Sequence, residues 1–133
     1  MLATLFDFPF EDRQLLTRWS DVATGGKNSG YVKTKMDFER EMMECLSYFT
    51  QLWRERENKS RSFDLISMMA NNEDTKAMID RPLEYLGNLI LLIVGGNDTT
   101  RNSISGGVLA LNDFPEQYCK LNKDPSLIPK YLT

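Results

Sequence analysis

The sequence predicts an all-α fold, and three observations carry that prediction. Apolar residues recur at intervals of three and four along most of the 133 residues, and no stretch reads as a strand. Helix punctuation stands where that periodicity starts and stops, at Thr34, Pro82 and Phe114-Pro115. The length suits one domain around one core, and 41% hydrophobic with 26% charged residues is the composition of an ordinary globular chain.

The elements follow in order. From Phe10 to about Val22, apolar residues fall at Leu15, Leu16, Trp19 and Val22, which is helical spacing. Ala23-Thr-Gly-Gly-Lys-Asn-Ser-Gly30 is rich in Gly, Asn and Ser and predicts a mobile loop. Thr34 can cap a long helix reaching about Asn58. Its stripe of Phe38, Met42, Leu46, Phe49 and Trp53 reads as packing surface, with Glu39, Glu44, Gln51 and Glu55 mostly turned away. Ser60-Arg-Ser62 should end it. Phe63 to Ala70 reads as a short helix before the polar turn Asn71-Asn-Glu-Asp74. Pro82 then fits the first turn of a helix running to about Asn112, with Asp80 as a candidate cap. About thirty residues at 1.5 Å each would span roughly 45 Å. Phe114 to Leu121 gives a last short helix, and Lys123-Asp-Pro-Ser126 a turn.

Bulk properties exclude several function classes. Net charge is -3 and no basic block exists, so nucleic acid is a poor partner. The longest apolar run, Leu89 to Val94, is far short of the roughly 20 residues of a bilayer span. Cys45 and Cys119 lack CxxC spacing, and a reducing, cytoplasmic compartment fits them. The sequence contains no histidine, the commonest general base and metal ligand.

The informative stretch is Leu89-Ile-Leu-Leu-Ile-Val-Gly-Gly-Asn-Asp-Thr-Thr-Arg-Asn-Ser103. Two glycines, an acid and two threonines weaken the middle of a helix. Leu91, Gly95, Asp98, Thr99 and Asn102 share a face, flanked by Val94. The glycines would let a flat ligand approach the backbone. The Thr99 hydroxyl could replace the Gly95–Thr99 backbone pair and open the helix, and Asp98 could carry protons. The plainer readings are that the glycines permit close helix packing and that Asp-Thr-Thr caps a second helix. The Gly-Lys-Ser/Thr of a phosphate loop does not follow.

Gly95-Gly-Asn-Asp-Thr-Thr100 resembles the [Ala/Gly]-Gly-x-[Asp/Glu]-Thr-[Thr/Ser] pattern in the long distal helix of the cytochromes P-450, the haem-thiolate monooxygenases. Phe114-Pro115 through Ile128 resembles the family's next helix and turn. Phe10-Glu-Asp-Arg13 and Arg18-Trp-Ser-Asp21 resemble its first lid helix, and Phe38 to Trp53 its second. Leu5-Phe-Asp-Phe-Pro9, Arg18 to Thr24 and Gly95 to Ser103 look like the bacterial subgroup that hydroxylates medium-chain alkanes and fatty acids at the terminal carbon.

The resemblance implies roles. Gly95 and Gly96 would let the distal helix pass close over haem b. Thr99 would hydrogen-bond dioxygen or its water, and Asp98 would relay protons. Leu91, Val94 and Gly95 would line the side of an apolar substrate. Residues 23–34, between the lid helices, would gate access. Electrons would come from NAD(P)H through a ferredoxin reductase and a ferredoxin. The family's Phe-x-x-Gly-x-x-x-Cys-x-Gly haem loop has no counterpart at Cys45 or Cys119, and its Glu-x-x-Arg pair is also missing. Residues 1–133 therefore read as a central part of one such domain, with Met1 not the native start and the fragment inactive alone. The competing expectation is a non-enzymatic helical interaction or regulatory domain.

Overall fold

The computed structural model describes residues 1–59 and 62–128. The described residues contain α1 (Leu2–Leu5), α2 (Gln14–Gly25), α3 (Lys35–Arg56), α4 (Leu65–Asn71), α5 (Pro82–Val94), α6 (Thr100–Asp113) and α7 (Pro115–Lys123), with no strand among them. Short 3-10 turns lie between, and Gly95–Thr99 is a π-helical turn between α5 and α6. The chain separates into two compact units, Met1–Asp98 and Thr99–Thr133.

The first unit is built on α3. Thr34 caps it with a reciprocal box: its side chain accepts from the Asp37 N–H, and the Asp37 carboxylate accepts from the Thr34 N–H at 2.9 Å. These bonds, the Thr34 hydroxyl first, hold the Asp37 carboxyl below its ordinary pKa. Most of the predicted stripe is core: Leu46, Phe49 and Trp53 are buried, joined by Cys45 and Leu52, while Met42 is buried in a second, smaller cluster and Phe38 is half-buried against that cluster. Leu16 and Trp19 of α2, Phe6 and Phe8 before it, Ile66 of α4, and Tyr85, Leu89 and Ile93 of α5 complete this core. Rings meet edge-on there, Phe6 on Phe49 at 5.2 Å and Trp53 on Tyr85 at 5.0 Å between centroids. The Tyr85 hydroxyl donates to the Phe49 carbonyl at 3.1 Å, so its one polar atom is satisfied.

Two ion pairs tie elements of this unit together. Arg56 donates to Asp64 and to the Phe6 and Asp7 carbonyls, all at 2.6 Å, fastening the N-terminal segment to α3 and α4. Asp64 also caps α4 by accepting from the Ser67 N–H at 2.8 Å. Burial alone would raise its carboxyl; the Ser67 hydrogen bonds and the Arg56 charge outweigh that and lower it. Across the unit, Arg18 grips Glu41 (2.6 and 2.7 Å) and reaches Glu44 at 3.1 Å.

Several expectations are corrected. Ala23–Gly30 is not a loop: α2 continues to Gly25 and a 3-10 turn covers Gly26–Ser29. Its glycines turn the chain with φ of 49° at Gly26 and 82° at Gly30 rather than loosening it. Asp80 is not the cap of α5. Arg81 stands at that position without a side-chain cap bond, because Asp80 ends the preceding 3-10 turn and lies one residue too early. The helical run expected to reach Asn112 does extend to Asp113, with a π turn at Gly95–Thr99 where the sequence places its weakness. Phe63 stands outside α4 and is fully exposed; Asp64, one residue on, is the cap. The stop expected at Ser60-Arg61 lies outside the described residues, and α3 already ends at Arg56.

The second unit is α6, α7 and a 3-10 turn, Pro125–Leu127. Pro115 starts α7 in its first turn, as the sequence predicts. None of the unit's described residues is buried.

Candidate functional site

Helix α5 and the π turn after it carry the candidate residues, and burial divides the surface of the helix. Tyr85, Leu89 and Ile93 recur every four residues and are fully buried. Leu91 lies about 200° around the axis from Leu89 and is 71% exposed. Val94, Gly95 and Asp98 are half-buried, while Thr99 is exposed. Leu91, Val94, Gly95 and Asp98 are thus brought onto one helical stretch of the first unit; Thr99 is the first residue of the second.

The adjacent glycines differ. A Cβ at Gly95 would meet nothing within 4 Å, whereas one at Gly96 would collide with the Leu2 side chain. Gly96 therefore allows close packing onto α1, the plainer reading of a helix glycine, and Gly95 leaves an open position. The sequence alone could not separate them, because the N-terminal helix that decides the matter is more than ninety residues away along the chain.

The weak centre of the sequence appears as the π turn Gly95–Thr99. Such turns lengthen the hydrogen-bonded loop from four residues to five and widen the helix. Asn97 lies inside it, and its Nδ2 is buried with no hydrogen-bond partner. That amide is a donor ready for an incoming acceptor, and the sequence reading missed it. Its signal was present: a polar residue between a glycine pair and an acid in an otherwise apolar helix.

Neither cysteine has the surroundings of a metal ligand. Cys45 is fully buried in α3, and burial pushes its thiol up to about 12, so it stays protonated at neutral pH. Cys119 is an exposed free thiol on α7. Among the described residues, no group of three His, Cys, Asp or Glu side chains could hold a metal ion. No helix of the described residues is long and apolar enough to cross a membrane.

Buried polar groups are the other feature that sequence reasoning missed. Glu41 is 4% exposed on the stripe face of α3, one residue before Met42. Its position in phase with Phe38 and Cys45 was the available signal. Periodicity cannot say which cation meets it, because Arg18 is 23 residues away on another helix.

No protein-family model matches the chain. Individual relatives do. A linalool 8-monooxygenase of Pseudomonas putida is 29% identical over 113 residues, which is 85% of this chain and 27% of that protein. A biotin biosynthesis cytochrome P-450 of Bacillus subtilis is 29% identical over 138 residues, 96% of this chain and 32% of that protein. A steroid C26-monooxygenase of Mycolicibacterium smegmatis is 29% identical over 117 residues, 88% of this chain and 26% of that protein. The chain spans about a quarter to a third of the length of these curated relatives. Matches covering 85 to 96% of a 133-residue chain necessarily include residues 95–100 of it. Over 85 to 96% of its length the chain is similar to curated monooxygenases and to a cytochrome P-450.

Proposed function

We propose that this chain is the distal-helix and lid part of a haem-dependent monooxygenase, one that inserts an oxygen atom from dioxygen into an unactivated C–H bond. The observation that carries the reading is the π turn at Gly95–Thr99 directly after an apolar helix with an open glycine position. That position fits a flat group lying against α5, because no side chain fills it. The haem, when bound, supplies the dioxygen chemistry. Cys45 would not supply a thiolate to such a group, because burial keeps its thiol protonated.

This chain's own residues then have separable tasks. Gly95 admits the flat group, and Gly96 sets the depth of the backbone by packing on Leu2. Leu91 and Val94 present an apolar wall that excludes water. Thr99 hydrogen-bonds near the reacting oxygen and Asp98 hands on protons, tasks suited to a hydroxyl and a carboxylate on neighbouring residues. The favoured substrate is a medium-chain alkane or fatty acid hydroxylated at its terminal carbon. An alkyl chain has no polar group to grip and is held by burial alone. The relatives named for linalool and steroid bear on the reaction class rather than on this substrate. Electrons would arrive from NAD(P)H through a ferredoxin reductase and a ferredoxin, in the cytoplasm. Residues 23–34 between α2 and α3 would gate access.

The test is Thr99→Ala in the haem-loaded protein that carries this chain. Product formed per NAD(P)H should fall several-fold while peroxide rises. Unchanged coupling with no extra peroxide would remove Thr99 from proton delivery. The alternative, a non-enzymatic helical interaction domain, draws support from the closed core of residues 1–98. The isolated 133 residues should give no thiolate-type Soret band with carbon monoxide and ferrous haem. Such a band would show that one of these two cysteines does bind iron.

A further inference from the structure

The N-terminal segment meets the π turn at one point. Leu2 is 9% exposed and shares the core with Phe6, Phe49 and Ile93. A Cβ at Gly96 would fall on the Cδ2 and Cγ of Leu2, so that side chain occupies the space any other residue at position 96 would need. A Cβ at Gly87, Gly95 or Gly106 would meet nothing within 4 Å, so the seat is particular to Gly96.

The segment behind Leu2 is stiff. The Phe6 N–H donates to the Leu2 carbonyl at 3.0 Å, and the Phe8 N–H to the Ala3 carbonyl at 2.7 Å. Phe6 is fully buried, edge-on to Phe49, and Phe8 stacks on Tyr48 with 4.7 Å between centroids; both partner rings belong to α3. Between them, Asp7 has a φ of 44°, which an L residue keeps only where its surroundings impose it. Arg56, the last residue of α3, supplies that constraint. Its Nη1 donates to the Phe6 carbonyl and its Nη2 to the Asp7 carbonyl, each at 2.6 Å, while Nη1 also holds Asp64. The Arg56 side chain is 14% exposed, so water competes little for these bonds.

We infer that Leu2 is a positioning residue for the π turn, carried on a strut that Arg56 anchors. The strut runs from the end of α3 through Asp7 and Phe6 to Leu2, and it seats Leu2 on the bare backbone of Gly96. π turns are rare within helices, so contacts from outside decide where one persists. The Asn97 Nδ2 is buried without a partner and does not tie the turn to its surroundings. Leu2 does, because a side chain fixed at its base and packed on backbone opposes any shift of that backbone toward it. The inference deepens the proposed function, on which its link to proton delivery by Asp98 and Thr99 rests; the contact itself rests on the structure alone.

NMR of the 133-residue chain, labelled with carbon-13 and nitrogen-15 and without haem, tests the strut. Leu2→Ala should move the carbonyl shifts of residues 95–99 and speed their amide exchange about tenfold relative to α4. Leu2→Met refills the seat and should keep both near the parent values. Gly96→Ala should also move the shifts, since its Cβ and Leu2 cannot share one place. Leu2→Ala/Gly96→Ala should lie closer to the parent than either single variant, because the new Cβ enters the vacated space. Arg56→Gln/Asp64→Asn, which strands no charge, should reproduce the Leu2→Ala shifts at residues 95–99. Leu5→Ala, at a half-exposed position of α1, should change nothing there. A role in stability alone would lower the melting temperature of Leu2→Ala and leave its native carbonyl shifts in place, which would overturn the inference. So would additive shifts in the Leu2/Gly96 double variant, unmoved signals at residues 95–99 in the Arg56 pair, or a Leu5→Ala effect as large as that of Leu2→Ala. If Leu2→Ala does not fold, a folded double variant supports the seat and an unfolded one refutes it. Because no activity is read, failure here leaves the monooxygenase reading standing, and failure of Thr99→Ala to uncouple leaves the strut standing.

Discussion

Residues 1–98 and residues 99–128 are both helical, yet they solve different problems. The first unit holds every buried apolar residue among those described, from Leu2 to Ile93, and pairs its buried carboxylates Glu41 and Asp64 with Arg18 and Arg56. The second buries nothing, and Ile104, Val108, Leu109, Phe114 and Tyr118 remain more than half exposed. Helical periodicity is present in both. The difference teaches that an apolar stripe makes a core only where a second stripe meets it, because isolated helices of this length are marginal in water.

That contrast can be broken by mutation, beginning with the largest expected effect. Phe49→Ala, in the centre of the first unit, should cost about 3–5 kcal/mol through lost burial and the cavity left behind. Urea unfolding followed by Trp19 and Trp53 fluorescence reads it. A loss under about 1 kcal/mol would mean that the core is not packed as described.

Arg56→Gln should cost about 3 kcal/mol by stranding the Asp64 carboxylate, whose side chain is 3% exposed. The same pair gives a pH dependence of defined sign. The folded pKa of Asp64 lies below its ordinary value, so the unfolded chain binds the proton more readily. The contribution is complete above about pH 4 and is lost as pH falls through the folded pKa. In Arg56→Gln this acid-side slope should shrink; an identical slope in both proteins would separate Asp64 from it.

Thr34→Ala should cost about 1 kcal/mol, the usual value of an N-cap. A second check is specific to the box: without the Thr34 hydroxyl, the Asp37 carboxyl should rise toward its ordinary pKa, as carbon-detected NMR titration can read. At the small end, Val108→Ser in the second unit should change unfolding free energy by no more than about 0.5 kcal/mol, as expected of an exposed site. It should also lower the binding of a dye that reports exposed apolar surface. A loss as large as that of Phe49→Ala would erase the distinction between the units.

Much of the first unit is legible in the residues. Thr34 followed by Asp37, Phe38 to Trp53 at intervals of three and four, and Pro82 and Pro115 each specify a local event whose physics lies within one or two turns. The segment between α2 and α3 misled because glycines look like slack. Two of them instead supply positive φ for tight turns, and Val32 finds a seat on distant helices. At the candidate site the same division holds. Gly95 to Thr100 announces a weakened helix, and the π turn stands there. That Gly96 packs on Leu2 while Gly95 stays open could not be read from the motif.

The sequence by itself determined where helices begin, where they weaken, which stripes are apolar and which family's pattern the Gly-Gly-Asn-Asp-Thr-Thr run resembles. These properties depend on neighbours within about four residues, the reach of a helix hydrogen bond or cap. Tertiary structure alone decided which stripes became core, which of two adjacent glycines stayed open, and which arginine neutralised the buried Glu41. Those outcomes depend on atoms twenty to ninety residues apart along the chain. Burial and charge pairing act through space, and only the folded chain brings such atoms together.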